Sequence, residues 1–518
     1  MSTKLRKKRV RIFVGLREYG VRSNPHLIDN IGEKGYSVNL SLFEIVGPVM
    51  LGPSSSGTAG MALIGAELYK LAEGTPAKIN VCFHPRHYEG YAGCRSHYAA
   101  VGGALGMSPE DDNIRFALDI AKSRNIDVSV SFFEEPLPKE GLTVCISEEN
   151  TEGKKFSVLG VSLGGGMIKI LEINGKAVGD AVDPCNTNNV IRENELKDSS
   201  CRGCKTSTSC NLLKEGNKSA KEPLFTTCRQ FTELATKYDD IADLAFDYEK
   251  AESGKSFADL YDKMYNELKV MRRAVQRGFM EKPVGLYGFV KGDEGAKIKD
   301  AAEAGELYDE LLPRAISKAV ATMNVAMSMG TIVAAPTSGS CGILPGCLLT
   351  VQEHFDYSDK KIVRAMFIAA SIGLVIRYKG VKMSGMEGGC QGEVGVSSAM
   401  AAGALVYLKG GSANKVFHAA ALALKGLMGL ICDPIGANSE IPCVKRNAVG
   451  AANAFAAADM ALAGIESFIP PDEVIDALVH VQGRTPECFR CGDSGLYSTG
   501  MAEKAREQEA LMDAAIRI

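Results

Sequence analysis

The stretch AVGAANAFAAADMALAGI, residues 448–465, decides the fold of the second half of the chain. Almost every side chain in it is small and apolar, so a helix built from it must be covered by other elements on most of its sides. The same character extends outward, because alanine, leucine and methionine dominate from Phe225 onward, with glycine and proline at the breaks. We therefore predict an all-α domain with a buried central helix over residues 223–518.

Residues 37–176 show a different pattern, that of an α+β domain. A helical run, GTAGMALIGAELYKLAEG (57–74), has apolar residues at helical spacing and ends in glycine. Four strand-like runs rich in β-branched and aromatic residues follow it; they are KINVCF (78–83), IDVSVSFF (126–133), LTVCIS (142–147) and MIKILEING (167–175). The predicted fold is multidomain, with this N-terminal α+β domain followed by the all-α catalytic domain.

Two further segments flank the small domain. Residues 1–36 are predicted to form an N-terminal arm, and residues 177–222 a polar, cysteine-containing linker or insert. The insert carries four cysteines, Cys185, Cys201, Cys204 and Cys210. They allow a zinc ion or a second cluster to bind, and the alternative is a flexible linker with incidental thiols.

Composition limits the classes of function. The chain has 518 residues, enough for two or three domains, and a net charge of −3 that gives no electrostatic case for nucleic acid or for an acidic membrane surface. Residues 319–352 carry no charge, but their prolines and glycines predict a buried core segment with turns and not a membrane span. We expect a cytoplasmic protein, in which the 15 cysteines are buried hydrophobic residues, nucleophiles or metal ligands.

Three cysteines lie in turn-rich, nearly uncharged surroundings. Cys390 lies in SGMEGGCQGEVG (384–395), and Cys432 and Cys443 lie in ICDPIGANSEIPC (431–443). Neighbouring glycines let the backbone approach a bulky inorganic cluster, and thiolates suit iron–sulfur clusters and zinc. Three ligands instead of four favour a cluster with one iron left for substrate. The alternative is a set of three buried structural cysteines.

Several long segments resemble, in order, the signature segments of the iron–sulfur L-serine dehydratases of bacteria. In the helical half they are APTSGSCGILPG (335–346), GCQGEVGVSSAMAAGAL (389–405) and CDPIGANSEIPCVKRNAVGAANAFAAADMAL (432–462). In the small domain they are SLFEIVGPVMLGPSSSGTAG (41–60) and VSLGGGMIKILEING (161–175).

This resemblance implies that Cys390, Cys432 and Cys443 ligate a 4Fe–4S cluster, and that Cys341 is a wall residue and not a ligand. It implies loss of water from L-serine, which gives pyruvate and ammonia. It also implies a substrate site formed by hydroxyl-rich turns; the residues are Ser54, Ser55, Ser56, Thr58, Ser338, Gly339 and Ser340. On the residues alone, GPSSSGT (52–58) is better explained as a plain helix N-cap, and the resemblance favours the substrate site.

The chain departs from the family at two positions where the family has histidine. Gly57 follows the serine run, and Cys94 stands where the family has its favoured catalytic base. We therefore predict that Cys94 or His97 is the base. His84 and His87 lie nearby in the sequence and are further candidates.

The fourth cluster ligand and the substrate stay open at this stage. Some family members have a cysteine at the extreme C-terminus that reaches the cluster, whereas this chain ends in DAAIRI and offers Cys488 and Cys491 as the nearest substitutes. The lead hypothesis is a homodimeric L-serine dehydratase acting on a small amino acid. The alternatives are the same scaffold acting on cysteine or threonine, and an amino-acid-binding sensor without turnover.

Overall fold

The computed structural model describes residues 40–85, 91–133, 142–164, 166–178, 222–435, 439–492 and 494–516. The predicted N-terminal arm, His87 and the insert cysteines lie outside the described residues. The strands are β1 Val49–Leu51, β2 Pro76–Phe83, β3 Asp127–Phe132, β4 Leu142–Asn150, β5 Lys155–Gly164, β6 Met167–Ile173, β7 Lys176–Ala177 and β8 Thr331–Val333.

The helices divide between the two halves of the chain. Those of the small domain are α1 Met61–Leu71, α2 Ser96–Ala104 and α3 Ala117–Ser123. Those of the helical domain are α4 Cys228–Ala235, α5 Ala242–Ser253, α6 Phe257–Met280, α7 Glu294–Glu303, α8 Leu311–Met327, α9 Ile343–Phe355, α10 Asp359–Tyr378, α11 Gly385–Gly388, α12 Val396–Leu408, α13 Ala413–Leu427, α14 Cys443–Leu462, α15 Pro471–Arg484 and α16 Gly500–Ile516.

A six-stranded sheet of order β3-β2-β4-β5-β6-β7 forms the small domain. Strands β2 and β3 are parallel and the other neighbours are antiparallel. Helices α1 and α2 pack closely on each other, because a Cβ on Gly65 would lie 2.3 Å from the Ala100 oxygen and one on Gly103 would lie 2.0 Å from the Ala62 oxygen. The four predicted strands and the predicted helix are confirmed.

The helical domain is built around two nearly fully buried helices, α10 and α12. The prediction for residues 448–465 is only partly right, since α14 keeps one exposed face on which Val449 is 56% exposed. Alanine and glycine on the other face of α14 allow neighbouring elements to pack closely against it. Close packing on one face therefore explains the small residues, and burial of the whole helix is not required.

A short strand pair joins the two domains. Strand β1 from the N-terminal half pairs antiparallel with β8, so the helical domain is not purely α-helical as predicted. Leu42 and Val46, which precede β1, pack in the core of the helical domain. Residues 319–352 form buried helices, β8 and a turn, as predicted. Among the described residues, the structure contains no helix that is both long and apolar enough to cross a membrane.

Candidate active site

The structure brings together the three cysteines singled out in the sequence. The Cys390 thiolate accepts hydrogen bonds from the thiols of Cys432 and Cys443, and these bonds together with the nearby Arg446 hold the pKa of Cys390 well below its usual value. The contact with Cys390 and burial raise the pKa of Cys432 and of Cys443. The lowered pKa of Cys390 favours its thiolate form, which is the form that binds metals.

Glycines shape the loop that carries Cys390. Gly389 has φ +76°, a left-handed conformation that glycine adopts without strain. Gly388 lies so close to Lys382 that a Cβ would be 2.1 Å from its carbonyl oxygen. Gln482 on α15 fixes this approach, because its side-chain amide accepts a hydrogen bond from Lys382 N and donates one to Lys382 O.

A buried ion pair lies beside the thiols. Arg446 on α14 donates from Nη2 to Asp433 Oδ1 at 2.6 Å, and from Nη1 to the Ile431 carbonyl at 3.0 Å and to Cys390 Sγ at 3.4 Å. The guanidinium therefore supplies positive charge where thiolates accumulate negative charge. Sequence reasoning did not single out Arg446, although it lies only three residues after Cys443.

Glu393 is a second group that sequence reasoning missed. The ligand atoms of Cys390, Glu393 and Cys432 all lie within 4.8 Å of one another. Burial, followed by the negative charge on Cys390, raises the pKa of Glu393 to about 8. Gly385 borders the same space, because a Cβ there would lie 2.8 Å from both Cys432 Sγ and Glu393 Oε2. The available signal was an acidic residue inside the glycine-rich, apolar run 389–405.

The turn Ser338–Ser340 lies against this group. Asn447 on α14 joins them, because its Nδ2 donates to the carbonyls of Gly339 at 2.8 Å and Cys443 at 2.9 Å. A Cβ on Gly339 would lie 3.2 Å from Glu393 Oε1. The hydroxyl of Ser338 is buried and makes no hydrogen bond within the described residues, so it is a donor in need of a partner.

Two other predicted residues near this turn have local partners. Ser340 Oγ donates to the Ala335 carbonyl at 3.1 Å. Cys341, the predicted wall residue, is fully buried, and its Sγ lies 3.6 Å from Met323 Sδ.

The serine run begins the helical turn Ser55–Gly60 that leads into α1. Ser54 is its N-cap, since Ser54 Oγ accepts a hydrogen bond from Gly57 N at 2.9 Å, so the capping explanation holds for this residue. Ser56 Oγ lies 3.4 Å from Ser54 Oγ, and both side chains are partly exposed.

Cys94 lies directly against the serine run. Thr58 Oγ1 donates to the Cys94 carbonyl at 2.8 Å, and a Cβ on Gly57 would lie 3.1 Å from Cys94 Sγ. The family's histidine could not replace Gly57 without displacing Cys94. Burial, then the negative charge of Cys491, raises the pKa of Cys94 to about 12, against a smaller effect of its hydrogen bond with Ser54.

His97 is placed differently from Cys94. It is fully buried in the first turn of α2, where its ring packs against Tyr91 at 5.0 Å and Tyr98 at 4.8 Å between centroids. His84 is also buried, at the end of β2. Of the candidate bases, the structure brings Cys94 to the serine run, whereas His97 belongs to the core of the small domain.

The small domain reaches the thiol group through the end of β5. A Cβ on Gly60, at the end of the serine-run turn, would lie 2.1 Å from Ser162 Oγ on β5. A Cβ on Gly164, at the end of the same strand, would lie 3.3 Å from Ser384 Cβ, next to Gly385. The serine run and the cysteine loop therefore adjoin the same strand.

The donor set defines the class of site. Thiols in mutual contact, a guanidinium beside them and glycines that allow the backbone to approach closely fit a thiolate-bound metal centre such as an iron–sulfur cluster or zinc. Hydroxyl-bearing turns from both domains lie around it. The fold and the site together place a group of residues that could hold a metal ion close to the boundary between the α/β part and the helical part of the chain.

Comparison with known proteins identifies the family. The family described as serine dehydratase alpha chain matches residues 236–497. A probable L-serine dehydratase alpha chain from Bacillus subtilis (strain 168) is 42% identical over 261 residues, which are 50% of this chain and 86% of that protein. The L-serine dehydratase alpha chain of Peptoniphilus asaccharolyticus is 36% identical over 267 residues, or 51% of this chain and 91% of that protein.

A shorter similarity extends to a further relative. L-serine dehydratase TdcG of Escherichia coli (strain K12) is 42% identical over 135 residues, which are 26% of this chain and 29% of that protein. The chain therefore belongs to the serine dehydratase family of enzymes, and the match covers the helical domain with all three predicted cysteine ligands.

Proposed function

We propose that this protein is an L-serine dehydratase that converts L-serine to pyruvate and ammonia, with a 4Fe–4S cluster held by Cys390, Cys432 and Cys443. The observation that carries the proposal is the contact of the Cys390 thiol with both other thiols next to Arg446. When bound, such a cluster supplies a Lewis acid for the substrate carboxylate and β-hydroxyl.

The residues around the cysteines are proposed to hold and orient the amino acid. The buried Ser338 hydroxyl is a free donor on a turn that Asn447 fixes beside Cys443. The partly exposed hydroxyls of Ser54 and Ser56 offer further donors from the small domain.

We assign the role of proton donor to Cys94, at the position where the family has histidine, because its raised pKa keeps the thiol protonated. Elimination of water needs a group that exchanges a proton with the substrate. Cys94 lies against Gly57 and bonds through its carbonyl to Thr58, whereas His97 packs among aromatic rings. The variant Cys94→Ala should lose most activity and His97→Gln should retain more, with unchanged metal content in both.

The test uses protein purified and reconstituted without oxygen. Iron, sulfide and the release of ammonia and 2-oxo acid from L-serine are measured for the wild type and for Cys390→Ser, Cys432→Ser and Cys443→Ser. Cys347→Ser is the matched control, since Cys347 is buried in α9 with its Sγ 3.9 Å from the Ala451 carbonyl. Loss of iron and activity in the three variants but not in the control supports the proposal, whereas full activity without iron contradicts it.

A second candidate substrate follows from the same position. Cys94 and Gly57 replace histidines of the family, which favours testing L-cysteine and L-threonine beside L-serine. If either is turned over faster than L-serine, that amino acid would be assigned as the substrate, with the scaffold and the metal centre unchanged. The cytoplasmic location and the homodimer stay predictions, and light scattering of the purified protein measures the second.

A further inference from the structure

The segment between α15 and α16 brings a fourth cysteine to the thiol group formed by Cys390, Cys432 and Cys443. Cys491 Sγ lies 2.9 Å from Cys432 Sγ. We propose that Cys491 is a fourth thiolate ligand of the metal centre in the substrate-free protein, supplied by an internal loop, and that the substrate takes its place on that iron. This inference rests on the proposed function, because it assigns a further residue to the same centre.

The backbone, and not only a side-chain rotamer, fixes this approach. Cys432 N donates to the Phe489 carbonyl at 2.9 Å, and Cys491 N donates to the Cys432 carbonyl at 2.8 Å. Cys432 and Arg490 thereby form a parallel bridge between the two segments. The two thiols therefore stay neighbours as long as this bridge holds.

The loop is tied to the buried ion pair as well. Leu496 N donates to Asp433 Oδ2 at 2.9 Å, while Asp433 Oδ1 accepts from Arg446. Cys491 itself has φ +56°, a left-handed conformation that is rare for a residue other than glycine. Such strained residues are kept where the surrounding structure over-determines them, often at functional sites.

Glycine at position 385 leaves room where the groups meet. A Cβ on Gly385 would lie 2.8 Å from Cys432 Sγ and from Glu393 Oε2, and 3.2 Å from Cys491 Sγ. Cys488 on the same loop provides a contrast, since its thiol makes no hydrogen-bonding contact with these cysteines within the described residues. Of the two cysteines of this loop, Cys491 is the one for which the structure shows a thiol contact with the group.

Four thiolates give a centre different from one with three. Each thiol releases a proton as it binds the metal, and a cluster with a thiolate on every iron lacks a readily lost iron. A cluster with three thiolates loses its unprotected iron on mild oxidation and gives the three-iron form. The retention of the fourth iron therefore reports on Cys491 independently of catalysis.

The experiment compares wild type, Cys491→Ser, Cys491→Ala and the matched control Cys488→Ser, all reconstituted anaerobically and checked for folding by circular dichroism. Each is treated with ferricyanide or an iron chelator, and formation of the three-iron form is followed by electron paramagnetic resonance. We expect both Cys491 variants to lose one iron at least about 10-fold faster than wild type and Cys488→Ser, since ligand-sphere changes alter metal retention on this scale.

Three results would overturn the inference in distinguishable ways. Equal rates of iron loss in all four proteins would remove Cys491 from the centre and leave the proposed function intact. A Cys432–Cys491 disulfide, found by mass spectrometry in protein that carries its full cluster, would remove both residues from the centre and would also contradict the set of three ligands in the proposed function. Wild type and Cys488→Ser that take up no iron would contradict the proposed function itself.

Discussion

Within the described part of the chain, cysteines meet at two places, and their surroundings differ. In the small domain Cys82 on β2 lies directly opposite Cys145 on β4, in an apolar cluster with Leu159 and Val161. Burial raises the pKa of Cys82 to about 11 and raises that of Cys145 further. In the helical domain the thiols lie in glycine-rich loops beside Arg446, and the pKa of Cys390 is lowered.

Proximity of cysteines is common to both places, so the fit of the second place to a metal rests on the guanidinium and the glycines around it. Both sheet cysteines are neutral, hydrophobic side chains that fill space between strands. The loop cysteines have a neighbouring cation, glycines that let the backbone approach closely, and one thiol whose pKa is lowered. The predictions below alter one of these features at a time.

The largest expected effect is that of removing a ligand. Cys432→Ala should abolish iron binding and lower activity by more than about 100-fold, because even changes outside the ligand set cost 10–100-fold. Cys145→Ala is the matched change at the other cysteine pair and should leave iron content unchanged. Iron analysis and ammonia release check both. Iron loss in Cys145→Ala would break the distinction between the two places.

Removing the guanidinium of Arg446 should have the second-largest effect. Arg446→Met leaves Asp433 buried without its partner, which costs about 3–5 kcal/mol of unfolding free energy. It also removes the donor to Cys390 Sγ, so metal affinity should fall by about 10–100-fold. Denaturant unfolding and competition with a chelator measure the two effects. The double variant Arg446→Met with Asp433→Asn should recover stability but not metal affinity.

Adding a methyl group at position 385 should have a smaller effect. Gly385→Ala places a Cβ 2.8 Å from Cys432 Sγ, and the resulting shift should lower activity by about 10-fold or more, since displacements near 1 Å can cost about 100-fold. Gly483→Ala on α15 is the control, because a Cβ there meets no atom within 4 Å. Steady-state kinetics and thermal unfolding distinguish a displaced site from a less stable fold. Wild-type kinetics in Gly385→Ala would show that the site does not need a glycine at position 385.

The smallest effect is expected in the sheet. Cys145→Ala should lower stability by about 1 kcal/mol, as is usual for loss of a small buried side chain. Thermal unfolding of the apo protein measures this change. A loss of several kcal/mol would mean that the sheet cysteines do more than fill space.

Much of this arrangement could be predicted from the sequence. Runs of β-branched residues correctly predicted β2, β3, β4 and β6. Glycine-rich turns singled out Cys390, Cys432 and Cys443. Strand β5 was not predicted as a separate strand, because Ser157, Gly160 and Ser162 interrupt its apolar pattern. These residues are present because α1 and the serine-run turn pack closely on that strand.

Long-range pairings could not be predicted. Strand β1 is only three residues long, and its partner β8 lies about 280 residues further along the chain, so local sequence carries no sign of the pair. The contact between Cys432 and Cys491 likewise depends on a backbone bridge between distant loops. Glu393 and Arg446 could not be singled out either, because their contacts with the thiol group form only when the chain folds.

The most direct test of the central claim is the iron and sulfide content of protein reconstituted without oxygen, compared with the triple variant in which Cys390, Cys432 and Cys443 are alanine. The account predicts about four irons and four sulfides per wild-type chain and close to none in the variant. Wild type that takes up no iron and sulfide, or takes them up equally without these cysteines, would contradict it.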